Sequence, residues 1–600
     1  MKRRPNRRPA FEPRRPAELW ARRAAARLKF FYWLLAALAL GLIARLVVVQ
    51  ILQGPTLARR ALEQRLSTID MFAPRGSILD RDGVPLVRSL PSSSVYAAPR
   101  EVTDPAATAK ALATILGGSA ARIESDLASR SENVLIGRKV SHEAAELISQ
   151  RHLSGVSIVA ERTGERFVPG GRLASTLIGF TGIDDNGLAG VEYEYDDLLR
   201  GAPGRMTLET DQFDRALPFA VPRVVVAPRP GDSVVLTIDS FLQYSVEREL
   251  HAAVARWHAR SGTAIVMDPW TGEVLALADD PNYDIRTYGR FSEDARRNRA
   301  VMDAYEPGST FKLITAAAAL DSGKVTTSDR FPARDEITIG GRTIHNAEDG
   351  LMASGAGSET LGDIVVYSHN VGAAEVALAI GRHTMDATIR RFGFGEITKI
   401  SLPGESPGIV TPLDEWSATS LPTMAFGHSI AVTPLALARA YCAIANGGIL
   451  LRPRIISAVL DAQGRTIRRF GRLAEGRVIS ERTAATLRSF LRGVVTRGTG
   501  RDGAQVAGYT TAGKTGTAQI PENGGYAAGG YIASFIGYVP ADVPRYLILV
   551  KVDRPSGAIY GGAVAAPVFA RIARIAMMHA GILPAGPRLV KDETVSKRRI

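Results

Sequence analysis

The chain has one long apolar segment, which lies directly after a strongly basic N-terminus. From Phe30 the sequence reads FFYWLLAALALGLIARLVVVQIL, which as a helix has about the length of one bilayer crossing, although Arg45 and Gln50 interrupt it. Residues 1–29 contain eleven lysines or arginines and two glutamates. Basic residues beside a membrane segment stay on the cytoplasmic side. The pattern therefore predicts a basic cytoplasmic tail (1–29), a transmembrane anchor helix (30–52) and an exported remainder.

A cleaved signal peptide is the alternative interpretation of this segment. Ala37-Leu38-Ala39 has the small-x-small pattern of a cleavage site. However, the apolar stretch continues past these residues to Leu52, and the basic head is long for a signal. We therefore expect an uncleaved anchor and a single-pass protein of the cell inner membrane, with its catalytic part in the periplasm.

The remainder of the chain has the composition of folded protein. Six hundred residues exceed one ordinary core, and 46% hydrophobic with 22% charged residues excludes general disorder. Most of the net charge of +14 lies in residues 1–29, so the charge does not indicate nucleic-acid binding. The single cysteine, Cys442, excludes an intramolecular disulfide, and the scattered histidines give no metal-ligand spacing. We expect no cofactor and no metal.

Beyond the anchor, the patterns predict two domains and a polar tail. A proline-rich stretch at 218–232 separates a region at 53–225 from one at 226–582, and residues 583–600 are polar and basic. The first region mixes helical and short strand patterns. The second has a hairpin pattern at 262–278 and a strand pair at 531–553, with helical patterns between them. Locally paired strands with intervening helices predict an α+β fold, in which an antiparallel sheet is flanked by helices.

One serine and one lysine are spaced to lie on the same face of a helix. In YEPGSTFKLITAAAAL, Pro307 and Gly308 precede Ser309, and the residues that follow favour a helix, so Lys312 comes one turn later. A lysine made neutral by burial or by a nearby cation can take the proton of the hydroxyl. Alone, this spacing favours a simpler interpretation, a helix N-cap and a solvated lysine.

Two further motifs follow this pair. Ser368-His369-Asn370 is a Ser-x-Asn motif, and Lys514-Thr515-Gly516-Thr517 contains Lys-Thr-Gly. Each is common, but the order Ser-x-x-Lys, Ser-x-Asn, Lys-Thr-Gly is typical of penicillin-recognising serine enzymes. A phosphate-binding loop is the alternative for GYTTAGKT, and it needs a helix that begins at its Lys-Thr. The following GTAQIPENGG opposes a helix, so we expect no nucleotide site.

The chain resembles the class B penicillin-binding proteins, the monofunctional peptidoglycan transpeptidases, from about residue 30 to 582. Besides the three motifs, the resemblance rests on PRGSILDRDGVPLVRS (74–89), RFVPGGRLASTLIGFTG (166–182), GLAGVEYEYDDLLRG (187–201), NRAVMDAYEPGSTFK (298–312) and YGGAVAAPVFARI (560–572). It implies a transpeptidase (penicillin-binding) domain at 226–582 on an elongated α+β pedestal, a non-catalytic dimerisation-like domain, at 53–225. Glu306 and FGHSIAVTPLALA (426–438) are similar to the septal, FtsI-type branch, because the elongation-type branch usually has proline where Glu306 stands.

The resemblance implies a role for each motif position. The expected catalytic residues are Ser309, Lys312, Ser368, Asn370 and Lys514. The expected substrate-binding residues are Thr515, Gly516 and Thr517. Ser309 would attack the penultimate D-alanine of a stem peptide with Lys312 as base, and Ser368 would relay a proton to the leaving D-alanine. Asn370 would orient the substrate amide and Lys312. Lys514 would keep Lys312 neutral and attract the terminal carboxylate. The backbone N–H groups of residues 309 and 517 would form the oxyanion hole.

Other functions stay open at this point. An elongation-type transpeptidase would differ in partners more than in chemistry, and a D,D-carboxypeptidase would pass the acyl group to water. No Glu-x-x-Leu-Asn segment, which activates water in class A β-lactamases, occurs between residues 368 and 514, and this favours transfer to an amine. A non-catalytic scaffold or a β-lactam sensor fits less well, since every motif position is filled and 29 residues are too few for a signalling domain.

The resemblance also implies partners. They are peptidoglycan stem peptides ending in D-Ala-D-Ala, β-lactam antibiotics as covalent inhibitors, an FtsW-type glycan polymerase and other division proteins.

Overall fold

A computed structural model of the protein describes residues 16–161, 163–210, 223–347, 357–522 and 525–584. The chain divides into two compact units. One comprises the residues up to Met71 together with Gly204–Ala227, and the other comprises Phe72–Pro203 together with the chain from Pro228 onwards. The domain bounds expected from the sequence (1–29, 30–52, 53–225, 226–582 and 583–600) stay predictions. Residues 1–15 and 585–600 of the two predicted tails lie outside the described residues.

The first unit contains a long N-terminal helix and a small sheet. The helix Pro16–Val47 continues through a π-helical turn, Val48–Leu52, into the helix Gly54–Arg65. The antiparallel sheet is formed by the strands Leu66–Met71, Gly204–Glu209 and Arg223–Val226. The stretch Trp20–Leu52 is long and apolar enough to cross a membrane, and its most apolar part is not buried. The predicted anchor at 30–52 lies within this stretch.

A five-stranded antiparallel sheet is the centre of the second unit. Its strands in spatial order are Val274–Asp280, Ser261–Met267, Tyr546–Asp553, Gly525–Val539 and Ala512–Glu522. Alternate side chains enter two different cores, since Leu547 and Leu549 pack on one face while Ile548 and Val550 pack on the other. The strand is buried on both faces, and this is why LILV is apolar at every position.

Helices cover both faces of this central sheet. Ser240–Arg256 and Ala566–His579 share the core that contains Ile548, while Lys312–Asp321 belongs to the core on the opposite face. The stretch Gly561–His579 is also long and apolar enough to cross a membrane, but more than half of its most apolar part is buried in this core. The predicted α+β fold, with an antiparallel sheet flanked by helices, is confirmed.

The remaining helices of the second unit are mostly short. The α-helices are Pro105–Leu116, Ala120–Leu127, His142–Gln150, Ser175–Ile178, Gly190–Glu194, Asp196–Leu199, Glu293–Arg296, Arg299–Met302, Leu361–Tyr367, Asn370–Ile380, Arg382–Arg391, Ser420–Met424, Pro434–Ala445, Glu481–Thr496 and Gly561–Val564. The 3-10 helices are Pro99–Glu101, Ile285–Arg290, Gly308–Phe311 and Leu413–Glu415.

A six-stranded sheet joins strands that are far apart in the sequence. Its spatial order is Thr466–Arg469, Ile456–Leu460, Ser233–Leu236, Ile78–Leu79, Pro85–Leu90 and Glu165–Phe167. Ser233–Leu236 and Ile78–Leu79 pair in parallel, although the sequence patterns assign them to different regions. Residues of the predicted pedestal therefore share a sheet and a hydrophobic core with the region that carries the three motifs.

The smaller sheets complete the second unit. A three-stranded sheet has the order Val134–Ser141, Ser92–Ala97, Val156–Ala160, and it forms a separate small core with the three helices between residues 105 and 150. The two-stranded sheets pair Arg330–Pro332 with Ser358–Thr360, Glu336–Ile339 with Arg342–His345, and Ile449–Leu451 with Ala474–Arg477.

A buried charged cluster holds the segments around residues 75, 166 and 192 together. Glu192 accepts hydrogen bonds from Arg75 Nε (2.8 Å) and from Arg166 Nη2 (2.6 Å). The Glu192 side chain is only 2% exposed, and Arg75 and Arg166 are similarly buried. Removing one partner of a buried ion pair leaves an uncompensated charge, and this destabilises a protein more than the net energy of the pair suggests.

We expect Glu192→Gln to lower the free energy of unfolding by about 3 kcal/mol, because it removes the carboxylate that buried Arg166 and Arg75 share and leaves Arg75 with Asp196 alone. Urea denaturation followed by circular dichroism measures the change. The matched control is Glu481→Gln, which breaks an exposed pair with Arg477 and should cost less than about 1 kcal/mol. Equal effects of the two substitutions would contradict a stabilising role for the buried cluster.

Candidate active site

Ser309 lies in a tight turn that leads into a buried helix. The 3-10 turn Gly308–Phe311 precedes the helix that begins at Lys312. Gly308 has φ +55°, and a Cβ there would lie 3.0 Å from the carbonyl oxygen of Thr517, so glycine lets the turn lie against the neighbouring strand. A hydrogen bond also holds the turn, since the buried Tyr441 hydroxyl donates to the carbonyl of Thr310 (2.7 Å).

The Lys312 amino group is the centre of the site. Its Nζ lies 3.1 Å from Ser309 Oγ, 3.2 Å from Ser368 Oγ and 2.8 Å from Asn370 Oδ1, and it also donates to the carbonyl of Ser368. The Lys312 side chain is 1% exposed. The structure therefore brings the first two motifs together around one nitrogen atom.

Ser368 is held in an unusual backbone conformation. Its φ of +67° places it in the left-handed region, which costs a non-glycine residue about 1–2 kcal/mol. The preceding helix begins with a capping box between Thr360 and Asp363, and Ser368 ends it. The next residue, His369, is buried and its Nδ1 pairs with Glu359. This strained turn aims both the carbonyl and the hydroxyl of Ser368 at Lys312.

Lys514 approaches the same hydroxyl from the edge strand of the central sheet. Its Nζ lies 2.9 Å from Ser368 Oγ, so this hydroxyl lies between the two lysine nitrogens. A Cβ at Gly516 would lie 2.3 Å from Ser534 Oγ and 3.0 Å from the Thr310 methyl group, so glycine lets the strand pack closely at this point. The structure places the third motif beside the first two.

The two threonines of the third motif share one face of this strand. Thr515 Oγ1 lies 2.6 Å from Thr499 Oγ1, and Thr517 Oγ1 accepts a hydrogen bond from the N–H of Gly561 (3.2 Å). Residues two apart on a strand point to the same side. Thr515 and Thr517 are therefore placed to act together on one ligand group.

Burial and charge set the protonation of the two lysines. In the part of the chain that the structure describes, neither Lys312 nor Lys514 has a carboxylate among its hydrogen-bond partners. Burial and the Lys514 charge hold the pKa of Lys312 well below its ordinary value, against a smaller opposing effect of Glu359. Burial lowers the pKa of Lys514 to about 7. Because the two charges repel, the pair holds one proton more readily than two.

The nucleotide-binding alternative is excluded by the backbone around Lys514. Lys514 and Thr515 lie inside the strand Ala512–Glu522 rather than at the start of a helix. No helix dipole or row of helix N–H groups is available there to hold phosphates. Among the described residues, no group of three or more His, Cys, Asp or Glu side chains is placed to hold a metal ion.

Sequence reasoning missed a polar cluster beside the serine turn. Glu306 Oε1 accepts the N–H of Ser429 (2.8 Å), and His428 Nδ1 lies 3.3 Å from Glu306 Oε2 and 2.8 Å from the Tyr526 hydroxyl. Burial lowers the pKa of His428 to about 4, so this histidine is neutral at physiological pH. The segment 426–438 resembles the septal branch, and that similarity was the one available signal for this cluster.

A second missed residue positions the Ser-x-Asn motif. Asn346 Oδ1 accepts the N–H groups of Asn370 (2.8 Å) and Val371 (3.1 Å). The Asn370 side chain in turn donates to the carbonyl of His345 (2.9 Å). The hairpin that ends at His345 therefore fixes the first turn of the helix Asn370–Ile380. An isolated asparagine gives no sequence signal for such a role.

The fold and the site together define a class of protein. A serine at the start of a buried helix, a lysine one turn later, a Ser-x-Asn turn and a Lys-Thr-Gly edge strand converge within hydrogen-bonding distance. This is the arrangement of the penicillin-recognising serine enzymes.

Comparisons with known proteins give the family. Residues 262–574 match the penicillin binding protein transpeptidase domain, and residues 70–236 match the penicillin-binding protein dimerisation domain. The chain is 36% identical over 547 residues to stage V sporulation protein D of Bacillus subtilis (strain 168), covering 90% of this chain and 83% of that protein. It is 34% identical over 552 residues to the peptidoglycan D,D-transpeptidase FtsI of Escherichia coli (strain K12), covering 90% and 89% of the two chains.

A solved structure is also similar. Penicillin binding protein 3 of Mycobacterium tuberculosis complexed with ampicillin has a TM-score of 0.67 and 29% sequence identity, covering 87% of this chain and 98% of that one. The chain belongs to the class B penicillin-binding proteins.

Proposed function

We propose that this chain is a serine D,D-transpeptidase that cross-links peptidoglycan stem peptides through an acyl-enzyme on Ser309. The observation that carries the proposal is the position of Lys312, a buried amine 3.1 Å from the Ser309 hydroxyl and close to a second lysine. The E. coli relative that is 34% identical is named a peptidoglycan D,D-transpeptidase, and this supports the same reaction class here.

In the first step, neutral Lys312 takes the Ser309 proton while Ser309 Oγ attacks the penultimate D-alanine carbonyl. The developing oxyanion is stabilised by the backbone N–H groups of Ser309 and Thr517. The C–N bond to the terminal D-alanine then breaks, and the proton passes through Ser368 Oγ to the leaving nitrogen. The contacts of Ser368 Oγ with both lysine nitrogens, 3.2 Å and 2.9 Å, support this relay.

The terminal carboxylate of the substrate is assigned to the Lys-Thr-Gly-Thr strand. Thr515 and Thr517 on one face would donate hydrogen bonds to it, and the charge of Lys514 would attract it. Gly516 contributes space rather than a contact, because a side chain there would collide with Ser534. Asn370 would hold the substrate amide and also holds Lys312, through its contact of 2.8 Å.

In the second step, an amine of a neighbouring stem peptide attacks the ester carbonyl. Its proton returns to Ser309 Oγ by way of Lys312, and a new amide forms as the C–O bond breaks. Within the described residues, no carboxylate hydrogen-bonds Ser309 or Lys312, and Glu359 is engaged by His369. The absence of such a base for water supports transfer to an amine over hydrolysis. A β-lactam traps the enzyme because its leaving nitrogen stays tethered in the adduct.

A septal role is the finer part of the proposal. Glu306 stands where the elongation-type branch usually has proline, and one relative is named FtsI. We assign the helix within Trp20–Leu52 to a single-pass anchor in the inner membrane, with the basic N-terminus cytoplasmic and the enzyme periplasmic. An FtsW-type glycan polymerase and other division proteins are the proposed partners.

The test of the reaction is a partition experiment. The detergent-solubilised chain receives a donor stem peptide ending in D-Ala-D-Ala and increasing concentrations of an acceptor stem peptide. We expect the cross-linked product to increase at the expense of the hydrolysed donor, with Ser309→Ala inactive as the control. Release of D-alanine without any cross-linked product would replace the proposal with a carboxypeptidase, and loss of both products in the wild type would indicate a scaffold.

Cellular depletion tests the septal assignment separately. Filamentous cells are the expected result, because septal cross-linking fails while elongation continues. Round cells would instead indicate the elongation-type function, and the reaction assigned to Ser309 would be unaffected by that outcome.

A further inference from the structure

A hydrogen bond links the neighbourhood of the serine turn, Gly308–Phe311, to the strand that follows the Lys-Thr-Gly motif. The Tyr526 hydroxyl and His428 Nδ1 lie 2.8 Å apart, and the histidine tautomer decides which atom donates. The two rings meet edge to face, with their centres 5.4 Å apart. Tyr526 belongs to the strand Gly525–Val539, and His428 belongs to the loop after Gly427. The bond therefore joins segments that are 98 residues apart in the sequence.

The loop that carries His428 is fixed to the serine turn. The N–H of Gly308 donates to the carbonyl of Gly427 (3.1 Å), and a Cβ at Gly427 would lie 2.2 Å from the carbonyl oxygen of Gly308. On the other side of the histidine, the N–H of Ser429 donates to Glu306 Oε1 (2.8 Å). The serine turn therefore sets the position of His428.

The strand that carries Tyr526 leaves its regular register close to this tyrosine. Gln519 lies opposite Tyr531, whereas Pro521 lies opposite Tyr526, so five positions along one strand face two along the other. Pro521 also has no N–H for the ladder. We call the residues in this irregular part, 520–522 and 525–530, the outer hairpin. Strand pairing fixes the outer hairpin less firmly than the Lys-Thr-Gly part, so a side-chain link to another segment has a larger effect there.

The outer hairpin lies where a bound stem peptide would extend. The terminal carboxylate is assigned to the Lys-Thr-Gly-Thr strand, and the reacting carbonyl would lie beside the serine turn, where Gly308 faces Thr517 and Ala518. The rest of the peptide would then continue towards Pro521, three residues beyond Ala518, or about 10 Å along the strand. The residues that precede the penultimate D-alanine cover that distance, whereas N-acetyl-D-Ala-D-Ala ends before it.

The strand Ala512–Glu522 can also pair with such a peptide. It lies at the edge of the central sheet and, in the part of the chain that the structure describes, has a neighbouring strand of that sheet on one side only. An extended peptide can add to a free edge through backbone hydrogen bonds. The alignment of the peptide then depends on the position of the outer hairpin.

The charged groups around the link leave it a neutral hydrogen bond. Burial and Glu306 raise the pKa of Tyr526 against an opposing effect of Arg342, so the hydroxyl keeps its proton. Burial lowers the pKa of His428 to about 4, and the charges of Arg342 and Lys312 act in the same direction. Because Glu306 also lies 3.3 Å from His428 Nδ1, substitutions at both ends of the link are needed to isolate it.

We propose that Tyr526 and His428 are positioning residues that hold the outer hairpin against the serine turn and so align the part of the stem peptide before its D-alanines. The proposal rests on the proposed transpeptidase function, because it concerns the same donor. Neither residue takes part in a chemical step.

Cross-linking kinetics of the full chain in detergent test the proposal with two donors, a stem pentapeptide and N-acetyl-D-Ala-D-Ala, and one acceptor. Tyr526→Phe and His428→Leu should each raise the KM for the pentapeptide about fivefold, with a smaller change in kcat, because each removes one hydrogen bond. The KM for the short donor should change by less than about twofold, because this donor does not reach the outer hairpin.

Two further variants serve as controls. His428→Asn places an amide near the position of Nδ1, so it can bond to the tyrosine and should restore most of the pentapeptide KM. Tyr244→Phe removes a hydroxyl from a tyrosine that is 57% exposed on the helix Ser240–Arg256, and it should leave both KM values unchanged.

Amide hydrogen exchange followed by mass spectrometry measures the link without any reaction. Peptides that contain the outer hairpin should exchange about fivefold faster in Tyr526→Phe and in His428→Leu, and at the wild-type rate in Tyr244→Phe. The double variant should exchange no faster than either single variant, since both substitutions remove the same bond.

Three outcomes would overturn the proposal. They are unchanged exchange of the outer hairpin in both variants, faster exchange with an unchanged pentapeptide KM, and equal rises in KM for the two donors, which would indicate a general disturbance of the site. A wild type that forms no product from either donor would instead contradict the proposed transpeptidase, and the exchange rates would still decide whether the link holds the hairpin.

Discussion

Alanine in place of Ser309 is expected to slow acylation by benzylpenicillin by on the order of 10⁴-fold, because it removes the proposed nucleophile, the hydroxyl that lies 3.1 Å from Lys312 Nζ. Ring opening adds the whole antibiotic to the protein. Intact-mass spectrometry therefore detects wild-type acylation as one added molecule, and peptide mapping locates it. The Ser309→Ala protein should keep the mass of the unmodified chain.

The control for this prediction is Ser489→Ala. Ser489 is exposed on the helix Glu481–Thr496, and its hydroxyl only donates to the carbonyl of Thr486. That variant should be acylated at the wild-type rate. Covalent labelling of Ser309→Ala at the wild-type level would show that a different residue is the nucleophile, and failure of the wild type to label would remove the site assignment altogether.

Arginine in place of Lys312 is expected to reduce acylation about 10³-fold even if the protein folds normally. A guanidinium group keeps its proton at any ordinary pH, so it cannot serve as the base for Ser309. The substitution preserves a positive charge and a long side chain, and it therefore separates the need for a neutral amine from the need for a cation. Second-order rate constants for acylation, obtained from time courses of intact mass, measure the effect.

Lys324→Arg is the matched control for this substitution. Lys324 follows the same helix, and its Nζ donates to the carbonyl of Ile380 (2.6 Å) and to Thr384 (2.9 Å), contacts that a guanidinium group can replace. Its acylation rate should stay within about twofold of wild type. A Lys312→Arg enzyme that acylates as fast as this control would rule out Lys312 as the base.

More of the candidate site than of the surrounding fold could be predicted from the sequence. Spacing places Ser309 and Lys312 on one face of a helix, and the structure has them 3.1 Å apart. The expectation that Lys514 and Thr515 are not at a helix start is confirmed by the strand Ala512–Glu522. These relations depend on local geometry, which periodicity and turn residues encode directly.

Long-range pairings could not be predicted in this way. The parallel pairing of Ser233–Leu236 with Ile78–Leu79 joins segments that the proline-rich stretch was predicted to separate, and no local pattern specifies a partner strand. The same holds for Asn346, whose contacts with the helix at residue 370 depend on tertiary folding. His428 is similar, since its neighbours Glu306 and Tyr526 are about a hundred residues away in opposite directions along the chain.

The pH dependence of acylation tests most directly whether Lys312 acts as a neutral base beside a charged Lys514. The second-order rate constant for acylation depends on the protonation of groups in the free enzyme. Loss of the Lys312 proton raises the rate, and because burial and the Lys514 charge hold the pKa of Lys312 well below its ordinary value, this rise should lie well below the ordinary lysine range. Loss of the Lys514 proton, with a pKa of about 7, removes charge that attracts the carboxylate, so the rate should fall at higher pH. A rate that falls as the pH rises through about 7 is the expected result, and a rate that climbs steadily from neutral pH to the ordinary lysine range would contradict the account.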